Sequence, residues 1–244
     1  MLTIAYTAVA LLAFSVLLWS IRLYREHRDV GILMVMAPLL LLWYDSLLIG
    51  IGRYLGENEL HIGLSWIRYT AHLLLLPAWT IAAGSIARRA ELRFSKPKWV
   101  MAIFCIGATI FVIEGVLEII TLKLYPACVK DTLRYVSYVS EAQACRPEMA
   151  GLGAKPSGPP LVATMPTFLF LILGLILLIK DRWPWLLAGS LVMLAMAFVP
   201  QAIAGPLFSN MAEPVIAVGA ILTLRHYLLR RQAEPTFARQ IHQK

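Results

Sequence analysis

The chain has 244 residues, of which 59% are hydrophobic and only 15% charged, and its mean hydropathy is +0.72. Soluble domains hold roughly 45 to 50% apolar residues, so this composition excludes a soluble globular protein and predicts an all-α, polytopic membrane helix bundle. The formal net charge of +8 then belongs to loops facing anionic lipid, and nucleic-acid binding is not expected, because no soluble domain gathers the basic residues on one face.

A hydrocarbon core about 30 Å thick takes about 20 residues at 1.5 Å each. Seven such runs can be read: Thr3 to Ile21, Val30 to Gly52, Ile62 to Ala87, Trp99 to Leu122, Leu161 to Ile179, Pro184 to Ala204 and Leu207 to Leu224. They are continuously apolar, not alternating, which argues against a β-barrel. The first lacks a basic leading segment and an Ala-x-Ala site and is expected to stay as a helix. Residues 1–227 are read as the seven-helix domain and 228–244 as a basic cytoplasmic tail.

Basic residues orient the chain. Arg22, Arg25 and Arg28, then Arg88, Arg89, Arg93, Lys96 and Lys98, then Lys180 and Arg182, then Arg225, Arg230, Arg231, Arg239 and Lys244 fall on alternate loops. By the positive-inside rule these loops are cytoplasmic, the N-terminus is outside and the C-terminus inside. The expected location is the bacterial inner (plasma) membrane, as a multi-pass protein. Trp19, Trp99, Trp183 and Trp185 fit an aromatic belt on the inner side, and Trp66 with Tyr69 one on the outer side.

The outer loop, 123–160, holds Cys128 and Cys145, whereas Cys105 lies deep in the fourth span. An oxidising exterior pairs the first two, for about 3 kcal/mol in the chain-entropy account. Two free thiols are the alternative. Between them "DTLRYVSYVSEAQA" starts with Asp131 as an N-cap and repeats Leu133, Val136 and Val139, which predicts a short helix lying over the bundle. "GLGAKPSGPP" reads as a flexible return to the membrane.

Ionisable residues inside the spans carry the functional expectation, since each costs roughly 2.5 to 3.5 kcal/mol at a helix centre and faces the bundle interior or water. The second and third spans are joined by a short connection and should be antiparallel neighbours. Asp45 and Arg68 then both lie about 10 Å below the outer surface and can meet. His72 shares a helix face with Arg68, one turn deeper. The same depth holds Glu114 and Glu118, four apart in the fourth span, Gln201 in the sixth, and Asn210 with Glu213 in the seventh. Together they predict a polar, carboxylate-rich cavity opening outward. Crowded carboxylates raise one another's pKa, so one of them holds a proton or the group binds a cation. Pro38, Pro77, Pro166, Pro200 and Pro214 interrupt five spans and can widen the bundle. Arg53, Glu57 and His61 are expected to be solvated interface residues.

Each feature also has a purely structural account: Asp45–Arg68 as an ion pair between helices, Glu118 reaching headgroups, His72 as a packing group. Glu213, inside a span just before Pro214, resists such an account most.

No metal site or cofactor is expected, as His72 is the one histidine at the right depth. The set of histidines, Ser and Asp used by seven-span ceramidase-like hydrolases is missing, and no Gly-x-Ser-x-Gly occurs. Seven spans with an outside N-terminus resemble rhodopsins in topology alone. The seventh span, "LFSNMAEPVIAVGAILTL", has no lysine for a retinal Schiff base, which excludes a covalent retinal protein. Two main readings remain. The first is a site that binds or processes an amphiphilic small molecule, such as a lipid, with Arg68 on an anionic head and Glu213, His72 or Asp45 as candidate proton-transfer groups. The second is a proton- or cation-coupled carrier using Asp45, His72, Glu114 and Glu213. A structural subunit with a membrane-protein partner is the third.

Overall fold

The computed structural model describes residues 1–155 and 161–241, with the side chains of 163 and 233–241 left out of the description. Six helical stretches are long and apolar enough to cross a membrane. They are α1 (Leu2–His27), α2 (Val30–Leu55), α3 (Glu59–Leu75) running on into α4 (Ala78–Arg89), α5 (Lys98–Thr121), α6 (Leu161–Asp181) and α9 (Leu207–Ile241). The sixth expected span, Pro184 to Ala204, is shorter than read: α7 (Trp185–Ala197) stops, and a four-residue α8 (Gln201–Ala204) follows. Pro200 sets the N-terminus of α8 and Gly205, at φ 59°, ends it, so the apolar run holds two helices where hydropathy alone suggests one.

Local chemistry places the helix ends. Arg28 closes α1 in the left-handed region, its N–H donating to the Tyr24 carbonyl at 2.7 Å. The Asp29 carboxylate accepts from the N–H groups of Gly31 (2.8 Å) and Ile32 (3.3 Å) and starts α2. A cap on each side of a two-residue link forces α1 and α2 into an antiparallel pair. Asn58 caps α3 through the His61 N–H at 2.9 Å. Pro77 separates α3 from α4, because it has no N–H for the Leu73 carbonyl one turn back. That carbonyl faces Gly115 of α5, where a Cβ would come within 2.8 Å of it.

The core joins α2, α4, α6, α7 and α9 through Val35, Leu39, Leu42, Trp79, Phe170, Leu177, Leu186, Ile216 and Leu224. Between helices in lipid, close packing replaces the hydrophobic effect as the source of attraction. Accordingly, a Cβ on Gly174 would meet the Leu187 nitrogen at 2.5 Å, and one on Gly219 the Trp185 carbonyl at 2.6 Å. By contrast α5 is peripheral, burying only Val100, Ala108 and Gly115.

The expected helix after Asp131 is overturned. The loop instead forms a β-hairpin, β1 (Tyr125–Val129) against β2 (Thr132–Val136), in register Ala127 with Arg134 and Cys128 with Leu133. All five residues of β2 are buried, so apolar residues occur on both faces and their spacing mimics a helical stripe. Cys128 and Cys145 form the expected disulfide, and Cys105 is a free, exposed thiol on α5. The start of the expected flexible return is pinned: Gly151 N–H donates to the Val139 carbonyl at 2.8 Å and Val139 N–H to the Leu152 carbonyl at 2.9 Å. The rest of that stretch, 156–160, lies outside the described residues, as do His242 and Lys244 of the tail.

Asp131 does cap a helix, but a distant one. Its carboxylate, at the hairpin turn, pairs with the Met1 amine and accepts from the N–H groups of Leu2 (3.0 Å) and Thr3 (3.4 Å). The amine and the two N–H groups hold its pKa well below the carboxylate range. A carboxylate whose folded pKa is lowered contributes stability above its unfolded value and loses it as pH falls. Hydrogen exchange at Leu2 and Thr3, corrected for intrinsic rates, should therefore stay slow above about pH 4 and quicken below it. In Asp131→Asn the step should vanish; equal protection of both proteins across that range would refute the cap.

Candidate functional site

Part of the polar set read at one depth converges, on three helices and the hairpin. Arg68 of α3 donates through Nη1 to Asp45 Oδ1 of α2 at 3.1 Å and through Nη2 to the Tyr135 carbonyl of β2 at 2.6 Å. Asn210 of α9 donates through Nδ2 to the other Asp45 oxygen at 2.5 Å and lies 3.4 Å from Ser46 Oγ. Asp45, Arg68 and Asn210 are each less than 8% exposed. Both carboxylate oxygens are thus satisfied, one by a charged donor and one by an amide, which is what a buried anion requires. The guanidinium also lies 4.8 Å from the centre of the Tyr69 ring.

Glu213 follows Asn210 by three and so shares its face of α9. It is 7% exposed, feels the charge of Asp45, and has no hydrogen bond from the described residues. His72, one turn from Arg68, is half-buried and within electrostatic range of both Asp45 and Arg68.

Other expected members stand elsewhere. Glu114 and Glu118 are exposed on α5 and do not join the cluster; their spacing places them on one face, but α5 turns that face away from the bundle. Gln201 belongs to the hairpin seam, its Oε1 3.3 Å from Arg134 Nη2 and 3.4 Å from Gln143 Nε2. Arg53 and Glu57 are exposed as expected, with Glu57 paired to Arg146 at 3.2 Å. His61 is a correction. It is 1% exposed, its Nδ1 lies 2.9 Å from the Gly56 carbonyl, and its ring meets Tyr135 edge-on at 4.9 Å, because β2 lies across the end of α3.

Sequence reasoning missed the hairpin's contribution. β2 settles on Gly52, where a Cβ would fall 2.0 Å from the Leu133 carbonyl. It brings in Arg134, 8% exposed, and the Tyr135 carbonyl. Tyr6 of α1 donates to the Ala204 carbonyl at 2.9 Å beneath it. Burial pushes the Tyr135 phenol up and the Arg134 guanidinium down from their ordinary values. Nothing in the loop sequence sets Arg134 apart from Lys130 or Arg146. Among the described residues no group of three or more His, Cys, Asp or Glu is placed to hold a metal.

No protein-family model, curated protein or solved structure matches the chain. The fold and composition define its class: a multi-pass, α-helical membrane protein.

The buried pair gives a stability test. Asp45→Ala strands Arg68 among apolar helices and should cost about 3 to 5 kcal/mol, whereas Asp45→Asn with Arg68→Gln leaves no charge behind and should recover most of it. Unfolding midpoints in mixed micelles measure both. A double variant no more stable than Asp45→Ala would show that the pair is not coupled.

Proposed function

We propose that the chain is a seven-span protein of the bacterial inner membrane, with α7 and α8 together as the sixth span and the hairpin end outside. The disulfide at that end supports this orientation, as do Arg88, Arg89, Lys180, Arg182, Arg230 and Arg231 at the opposite end of the bundle. Its function is to bind a small anionic amphiphile at the outer polar site. The observation that carries this reading is a buried charged cluster next to a lipid-facing groove on the same helix. Trp66, Ile67, Thr70, Ala71, Leu74 and Leu75 line a groove of about 370 Å³ along α3, beside the face that presents Arg68 and His72. The apolar tail lies in the groove, the head meets Arg68, and His72 or Glu213 exchanges a proton with it.

Native mass spectrometry of gently solubilised protein tests this. Wild type should retain a small amphiphile in stoichiometric amount, and the double variant Asp45→Asn with Arg68→Gln, folded but without the charges, should lose it. Equal retention by both would remove Arg68 and Asp45 from the site.

A second reading, coupling to protons, is favoured by the single observation that buried Glu213 has no partner for its carboxyl among the described residues. Under it, Glu213→Gln abolishes a pH-driven flux in proteoliposomes; a flux that persists would reject the role of Glu213.

A further inference from the structure

The hairpin brings in a second guanidinium, on the residue before the Tyr135 whose carbonyl Arg68 holds. Arg134 sits in the middle of β2, opposite Ala127 and so beside the disulfide-bonded Cys128. Its Nη2 reaches the Gln143 and Gln201 side-chain oxygens at 3.3 Å each, and no carboxylate among the described residues pairs with it. Arg68 and Arg134 are close enough for each charge to act on the other, and Asp45 is the carboxylate that acts on Arg134. Glu213 pairs with neither arginine among the described residues. Asp45 is thus the one carboxylate hydrogen-bonded to either guanidinium among the described residues.

Donors there are also in excess. Among the described residues, Arg68 Nε and Arg134 Nε are both buried without an acceptor. So is Ser65 Oγ, in a residue 1% exposed that precedes Arg68 by three on α3 and therefore shares its face. A buried donor without an acceptor costs about 1 to 3 kcal/mol, more when charged. Three of them, two on α3 and one on β2, beside guanidinium groups that have Asp45 as their one hydrogen-bonded carboxylate among the described residues, match an anion that accepts from several directions. A carboxylate offers two oxygens in one plane, which a single guanidinium fork satisfies; a phosphoryl group presents its oxygens tetrahedrally and can take two guanidinium groups and a hydroxyl together.

We infer that Arg68, Arg134 and Ser65 form a clamp for a phosphodiester monoanion, the charge of an anionic phospholipid headgroup. This rests on the outer site being a ligand site, and it names the head of the ligand. The disulfide acts through Arg134: Cys128 pairs with Leu133, the residue before it, and so fixes this part of β2.

The test uses full-length protein in nanodiscs of phosphatidylcholine with and without phosphatidylglycerol, followed by native mass spectrometry of the lipid retained on extraction, with inorganic phosphate as competitor. Wild type should retain phosphatidylglycerol in preference to phosphatidylcholine. Arg134→Gln should lower that retention roughly tenfold or more, the loss of one charge-assisted contact, and Arg134→Lys by less. Displacement by inorganic phosphate would make free phosphate the source of the phosphoryl group, and resistance to it a lipid headgroup; either supports the clamp. Folding is checked by an intact disulfide and an unchanged unfolding midpoint. Should Arg134→Gln not fold, Ser65→Ala takes its place and should lower retention several-fold. Unchanged retention in the folded variant overturns the clamp. A retained amphiphile without phosphate that is lost in Asp45→Asn with Arg68→Gln overturns the clamp alone, and an empty wild type overturns both the clamp and the outer ligand site.

Discussion

Everything at the hairpin end depends on keeping Asp45 and Arg68 compensated away from water. An isolated charge in an apolar medium is costly enough that the surrounding chain must supply donors and acceptors for it. Here the donors to Asp45 come from α3 and α9, and the acceptors for Arg68 from α2 and the hairpin. One ion pair thereby ties three helices and a strand together. The need to satisfy it explains why a five-residue strand is buried on both faces, and why Gly52 lies where that strand crosses α2.

The opposite end is held differently. Asp29 pairs with Arg89, joining the start of α2 to the end of α4. Asp181 accepts from the Tyr227 hydroxyl at 2.7 Å and pairs with Arg230 at 3.2 Å, joining α6 to α9. Lys180 reaches the Ala90 carbonyl, and Arg231 pairs with Glu91 at 3.0 Å. Trp183 stacks on His226 at 4.0 Å. These contacts bind helix ends to one another near the membrane surface, where partial hydration lowers their cost. Between the two polar ends the bundle is apolar and glycine-notched, and lipid gives its exposed leucines and isoleucines their solvent. The protein is therefore two polar networks separated by a largely apolar middle, and among the described residues the one under the hairpin leaves Ser65 Oγ, Arg68 Nε and Arg134 Nε without acceptors.

Much of this was legible from one dimension. The meeting of Asp45 with Arg68 followed from helix rise and a short connection, because depth in a membrane is a linear function of sequence position. His72 and Asn210 came with the same count. The failures share a cause. Depth says nothing about rotation around a helix axis, so the count that joins Asp45 to Arg68 also groups Glu114 and Glu118 with them, although α5 exposes both. A buried strand and a helix can carry the same apolar residues, so Leu133, Val136 and Val139 suggested a helix where β2 lies. His61 was read as solvated because the strand that covers it is remote in sequence.

Sequence alone determined what lipid enforces locally. A continuous apolar run must become a helix to satisfy its own backbone, Asp29 and Asn58 cap the helices that follow them, and Cys128 and Cys145 of one loop pair. The tertiary structure alone decided the faces: that α5 stands at the edge, that Asp131 caps α1 and not its own segment, and that Arg134 joins Arg68. Those outcomes rest on contacts between residues far apart in sequence, such as 67 positions for Arg68 with Tyr135 and 165 for Asn210 with Asp45. The rotation of a helix and the pairing of a strand are set by what they pack against, and no local pattern encodes that.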